Sequence, residues 1–255
     1  MTTATHFYGN TTVLTRRSLR HILRSPDTII TTAIMPIAIM AMFVYVLGGA
    51  IDTGAFSYID YMLPGILLIT VASGIAYTAF RLFTDLQSGV FERFQSMPIA
   101  RSSTLWAHVL TSLAANLVSV AIVVGVALIM GFRTGAGLAE WLGVAGILAL
   151  FTLALTWVAV FAGLSAKTVE GASAFSYPLI FLPFISSAFV PTDTMPGPVR
   201  WFAENQPVTS IVNTIRALFT GQPAGAEIWT ALAWCAGILV LAYALSIAAY
   251  RRRIS

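Results

Sequence analysis

Residues 85–101, DLQSGVFERFQSMPIAR, combine charge with apolar surface. The carboxylates of Asp85 and Glu92 and the guanidinium groups of Arg93 and Arg101 alternate with Val90, Phe91, Phe94, Met97 and Ile99, and Gly89 and Pro98 punctuate them. Residues of these types recognise a partner; they do not make or break bonds. Apolar runs long enough to cross a bilayer lie on both sides, so this charged stretch must leave the lipid. A short helix that is wet on one side and apolar on the other rests against something, and the question is what.

Reactive chemistry is otherwise absent. The single lysine, Lys167, follows an alanine, so there is no GxxxxGK[ST] phosphate cradle. No HExxH occurs, and no two histidines stand at ligand spacing. Cys235 is the only cysteine, which excludes an intrachain disulfide, a CxxC motif and a thiolate metal site. The nearest approach to a nucleophile and base is Ser165 or Ser173 with His108, but serines are common packing residues in membrane helices, and His108 reads as a satisfied histidine near a span end. Asn116, deeper in the same span, is expected to hydrogen-bond across to a neighbouring helix. No acidic or lysine side chain falls in mid-span, where ion-coupled transporters keep theirs. The expectation is a transport protein with no catalytic residue, metal or cofactor of its own, driven by energy from another chain.

The elements that position the 85–101 stretch follow from composition. Charged residues make up 9% of the 255, against about 25% in soluble domains, and the mean hydropathy is +0.84, so the chain is read as an all-α integral membrane protein. Six uncharged runs, 28–50, 61–80, 105–130, 141–166, 172–190 and 228–250, each reach the roughly 20 residues that cross about 30 Å of hydrocarbon. Trp106, Trp141, Trp229, Tyr58 and Tyr250 stand near their ends, as interfacial anchors do. Ahead of the first run, residues 12–24 form a basic amphipathic helix in the interface plane. Arg16, Arg17, Arg20 and Arg24 fall within roughly a third of its circumference, away from Leu14, Leu19 and Ile22. With the N-terminus in the cytosol, that side carries Arg16, Arg17, Arg20, Arg24, Arg81, Arg93, Arg101, Lys167, Arg251, Arg252 and Arg253, and the other only Arg133, Arg200 and Arg216. That bias puts both termini and residues 85–101 in the cytosol. The basic residues therefore serve topology and anionic lipid, and nucleic acid is not an expected partner. On the outside, residues 191–227 read as two short helices dipping into or lying on the outer leaflet. Ile211, Ile215 and Leu218 recur at helical spacing there, with Asn213 and Arg216 on the other face.

Three groups of residues, in order, resemble the permease subunits of type-2 ABC exporters, the group that contains the daunorubicin-resistance and polysaccharide-export permeases. Asp85, Gly89, Glu92, Arg93, Met97, Pro98 and Arg101 look like that family's D…G…ER…(S/T)P…R pattern. Residues 165–170, SAKTVE, followed by Pro178, look like its SA(R/K)…E…P segment. Residues 189–191, FVP, then Met195, Pro196, Trp201, residues 205–209, NQPVT, and Arg216 look like its outer tail, in a version that leans towards the drug-resistance permeases. The resemblance covers nearly the whole chain.

It implies a single membrane domain that pairs with a second copy or a related permease in the cytoplasmic membrane. Two cytosolic ABC ATP-binding subunits would bind the ATP and magnesium. Residues 85–101 become a coupling loop seated in an ATPase groove, with Val90, Phe91, Phe94, Met97 and Pro98 as the docking surface and Glu92, Arg93 and Arg101 fixing its register. Residues 12–24 become the connecting helix beside it. The route between subunits would be lined by the second and fifth spans, which makes Tyr77, Phe80, Phe175, Tyr177, Phe181 and Phe184 candidates for an aromatic path. In the outer segment, Asn205 and Pro207 are candidates for shaping a gate. The substrate class that suits such a route is a hydrophobic drug, lipid or metabolite. The alternative is a single-component secondary transporter or channel, which needs mid-span charge or a polar stripe.

Overall fold

A computed structural model describes residues 26–48, 57–88 and 103–254. The described residues are helical or irregular, without strands. Helix α1, Pro26–Met42, ends in a π turn, Phe43–Leu47; α2 is Tyr58–Gln87, α3 Ser103–Ile129 and α4 Leu138–Ser165. The chain then breaks into α5, Val169–Ala174, and α6, Ser176–Phe181, followed by a 3-10 turn, Leu182–Ile185. After a second 3-10 turn, Thr192–Thr194, come α7, Gly197–Asn205, α8, Pro207–Phe219, and the long α9, Glu227–Ile254. Four helices, α2, α3, α4 and α9, are long and apolar enough to cross a membrane, and two shorter apolar stretches, 32–47 and 169–185, accompany them.

The fifth apolar run is therefore not one straight helix, and its two prolines account for the breaks. Pro178 has no N–H for the Ala174 carbonyl, and α5 ends at Ala174. Pro183 has none for the Leu179 carbonyl, and the α-helix gives way to the 3-10 turn at Leu182. The second run, in contrast, is longer than its uncharged part. α2 continues through Arg81 and Asp85 to Gln87, so Asp85 lies in the last turn of a helix and not in a loop.

α2 is the axis of the bundle, packed against α1, α3, α4, α5, α6 and α8. Its middle is apolar on every face, as a helix surrounded by others must be, and residues 62–72 are all buried. Hydrocarbon solvates lipid tails as well as it solvates leucine, so close packing drives helix association in a bilayer, and small residues permit it. At Gly65 a Cβ would lie 2.6 Å from the Ala188 Cβ, so the chain beyond the 3-10 turn rests directly on the α2 backbone. At Gly74 a side chain would collide with the Asn116 amide. Asn116 itself donates to the Ser112 carbonyl of its own helix (3.0 Å), and the bond between α2 and α3 runs from Thr78 to Ser112 (2.6 Å). The expected interhelical bond exists one turn away from the residue assigned to it.

Aromatics read as interfacial anchors also divide. Trp229 is exposed, but Trp106 meets Trp157 edge-on at 5.3 Å, and Tyr243 meets the same Trp157 at 4.7 Å, tying α3, α4 and α9 together. Tyr58 is buried, with its hydroxyl towards the Phe189 carbonyl (3.4 Å).

Gly65→Ala should lower the thermal stability of the purified protein by about 1–3 kcal/mol, the usual cost of overfilling a tight contact. The double variant Gly65→Ala/Ala188→Gly should recover most of it. A thermal-unfolding series in detergent checks both, and no recovery in the double variant would refute the contact.

Candidate functional site

The two ends of α2 are built differently. The end at Gln87 is called lower here and the end at Tyr58 upper. At the lower end Asp85 Oδ2 lies 3.3 Å from His108 Nε2, joining the last turn of α2 to the first turns of α3. This contact closes the base of the connection between those helices. Val90, Phe91, Glu92, Arg93, Phe94, Met97, Pro98 and Arg101, assigned to partner docking, lie in that connection, outside the described residues, as does the 12–24 helix.

The six aromatic path candidates separate into two kinds. Tyr77 and Phe80 are exposed side by side on α2, ring centroids 6.1 Å apart, and the Arg81 guanidinium lies 5.9 Å from the Tyr77 ring. Tyr177 and Phe181, one turn apart on α6, are each 61% exposed. Phe175 and Phe184 are half-buried against the core. Phe184 stacks on Phe189 at 4.8 Å and faces Phe43 at 6.3 Å, so it works as packing between the broken segment and the π turn of α1.

The upper end holds a hydrogen-bonded cluster that sequence reasoning did not assemble. Asn205 and Pro207 do flank the bend between α7 and α8. Asn205 Nδ2 donates back to the Trp201 carbonyl (2.8 Å), Gln206 is extended, and Pro207 opens α8, where its missing N–H costs nothing. Asn205 is exposed and touches no other element through that bond; the residues that reach outward are its neighbours. Gln206 Nε2 donates to the carbonyls of Ile185 (2.7 Å) and Leu182 (3.4 Å), in the 3-10 turn. Thr209 donates to the Ala203 carbonyl and accepts from the Ser187 N–H (3.4 Å). Ser187 Oγ donates to Asn213 Oδ1 (2.7 Å).

Arg216 completes the cluster. Its Nε and Nη2 donate to the Tyr61 carbonyl (3.2 and 3.1 Å), Nη2 also to the Ser187 carbonyl (2.7 Å), and Nη1 to Asn213 Oδ1 (2.9 Å). The guanidinium carbon sits 3.9 Å from the centre of the Tyr61 ring, a cation–π contact. Burial pushes this guanidinium below its ordinary pKa, while Tyr61 and Glu227 pull the other way. Asn213 Nδ2 reaches Glu227 at the start of α9 (3.2 Å). The turn before α4 is held too: Asp60 accepts from the Arg133 N–H (3.0 Å), and Thr134 donates to the Phe219 carbonyl (2.7 Å). One face of α8 thus pins the upper ends of α2, the broken segment and α9.

Asn213 and Arg216 were expected on the face away from Ile211, Ile215 and Leu218. They are half-buried, and the far side of α8 meets backbone carbonyls. The available signal was the pair of prolines in the fifth run, which leaves carbonyls in need of donors, followed by Gln206, Thr209 and Arg216 at helical intervals.

The model of the ABC-2 type transporter family matches residues 9–220, which take in both the 85–101 stretch and the α8 cluster. The chain belongs to that family. It is similar to the daunorubicin resistance ABC transporter permease protein DrrB1 of Streptomyces coeruleorubidus, 29% identical over 232 residues that span 89% of this chain and 81% of that one. It is also similar to the probable doxorubicin resistance ABC transporter permease protein DrrC of Mycobacterium tuberculosis, 27% identical over 254 residues, 96% of this chain and 90% of that one. As an ABC-2 membrane subunit the chain is a non-catalytic, multi-pass permease, and ATP binding in the family falls generally to separate ATPase subunits.

Gln206→Leu keeps the bulk of the side chain but leaves the Ile185 carbonyl without its donor. It should cost about 0.5–1.5 kcal/mol, the net worth of a typical hydrogen bond. Thermal unfolding measures the loss, and unchanged stability would show that the 3-10 turn does not need Gln206.

Proposed function

We propose that this chain is the membrane subunit of an ATP-driven exporter that moves a hydrophobic drug-, lipid- or metabolite-like molecule out across the cytoplasmic membrane. In this reading the chain crosses six times, with the broken 169–185 stretch as the fifth crossing, and both termini face the cytosol. The lower end of α2 is then cytosolic and the α8 cluster lies at the outer surface. Two such permeases, identical or related, assemble with two ATP-binding subunits. Residues 85–101 dock each permease in its ATPase, with Val90, Phe91, Phe94, Met97 and Pro98 buried in the groove and Glu92, Arg93 and Arg101 setting the register, since charge complementarity gives specificity more than affinity. Tyr77, Phe80, Tyr177 and Phe181 are the aromatic side chains offered to a substrate between subunits. Asn205 and Pro207 shape the outer gate by fixing the angle of α7 on α8.

The observation that carries this reading is the length of α2. Its 30 residues extend about 45 Å at ~1.5 Å per residue, more than the roughly 30 Å of hydrocarbon. One rigid rod therefore runs from the α8 cluster through the membrane and leads into the docking stretch. A movement imposed at its lower end reaches the other side without passing through a flexible joint.

Phe94→Ala should weaken co-purification with the partner ATPase and abolish transport-coupled ATP hydrolysis, while the permease still inserts in the membrane. Affinity purification of the complex and turnover in proteoliposomes measure both. Wild-type stoichiometry and turnover would sink the docking assignment.

A further inference from the structure

We propose that Arg216 is a positioning residue for transport: it joins the upper ends of α2 and the fifth segment into one body, so that the fifth segment flexes at its proline breaks and not at its contact with α2. The inference rests on the permease reading above and adds to it where the motion occurs.

The joint is over-determined. Arg216 donates to a carbonyl on each side, Tyr61 of α2 and Ser187 beyond the broken segment, and its guanidinium is also seated on the Tyr61 ring. The planar fork fixes angles as well as distances, which a single-point contact would not. Beside it, Gly65 lets Ala188 sit directly on the α2 backbone, leaving no room for sliding. Gln206 and Thr209 hold the same stretch from the α8 side. The fifth segment has no comparable continuity lower down. It changes from α5 to α6 near Phe175 and from α-helix to 3-10 turn at Leu182, where Pro178 and Pro183 have removed backbone donors. Hinges form where few bonds must be broken, and those places are the breaks.

Double electron–electron resonance on the permease–ATPase complex tests this, with spin labels on cysteines introduced in a Cys235→Ala background. One pair, at exposed positions 57 and 190, spans the joint; a second, at exposed positions 177 and 190, spans the break at Leu182. Between nucleotide-free and vanadate-trapped complex, the 57/190 distance should stay put and the 177/190 distance should shift. In Arg216→Gln the 57/190 distribution should broaden and become state-dependent, and Arg216→Lys should restore it only in part. A 57/190 shift in the otherwise wild-type complex, or an unaltered 57/190 distribution in Arg216→Gln, overturns the proposal. A residue that only stabilised the fold would lower the melting temperature and leave both distances unchanged. The wild-type comparison decides even if Arg216→Gln does not accumulate. Failure of the permease reading would show separately, as a chain that captures no ATPase and cannot be trapped.

Discussion

A backbone carbonyl without a donor cannot be left in hydrocarbon, and the fifth apolar segment contains several such groups. Its prolines remove the donors for the Ala174 and Leu179 carbonyls. Carbonyls further along, around the 3-10 turn, take side-chain donors. Gln206 donates to Leu182 and Ile185, Ser186 donates to Pro183 (2.6 Å), and Arg216 donates to Ser187. Gln206 immediately precedes α8 and Arg216 lies on it, so this helix rests against the broken segment, with its N-terminal bend at Gln206. The short helices after the fifth segment thus supply part of the hydrogen bonding that the segment does not make within itself.

α2 meets the same constraint in the opposite way. It stays α-helical over 30 residues, with the one proline, Pro64, near its upper end, and polar side chains along it bond back to the helix, as Thr70 does to the Ile66 carbonyl (2.8 Å). The neighbouring α4 repeats the device with Thr152 and Thr156, each bonded one turn back. Such bonds remove polarity from the helix surface without linking helices. Contact between helices is left to small residues and interlocking aromatics, with few polar bridges such as Thr78 to Ser112 and Ser246 to the Trp157 carbonyl. Packing of this kind has little directional preference, so the directional bonds at the two ends of α2 set its rotation and register.

The sequence was most legible where length and composition decide. The long apolar runs, the missing catalytic and phosphate-binding constellations and the family pattern all follow from residue counting and motif order, and the family match and the long apolar helices agree with them. It was less legible where competing rules met. The 172–190 run satisfied the length rule for a span, and its two prolines, visible from the start, decided its internal shape. The charges after the second run, Arg81 and then Asp85, suggested a loop from Asp85, yet charge at the end of a long helix does not end it. The amphipathic pattern of α8 was real, but it does not say what the polar face meets. Here it is backbone, and Arg216 is half-buried on it. Among the aromatics, Phe184 and Tyr177 look alike in sequence. Only the fold packs the first against Phe189 and leaves the second exposed.

The two ends of α2 also differ in what can loosen them. Arg216 meets two backbone carbonyls, an amide and a ring, none of which changes charge in the ordinary pH range, so the upper joint holds through directional geometry. The lower contact pairs an imidazole with a carboxylate, Asp85 with His108, and Arg81 lies one turn above Asp85 on the same helix. Its strength follows the charge that each group carries. The two ends of α2 are thus held by different physics, directional hydrogen bonds above and a single charge-dependent contact below.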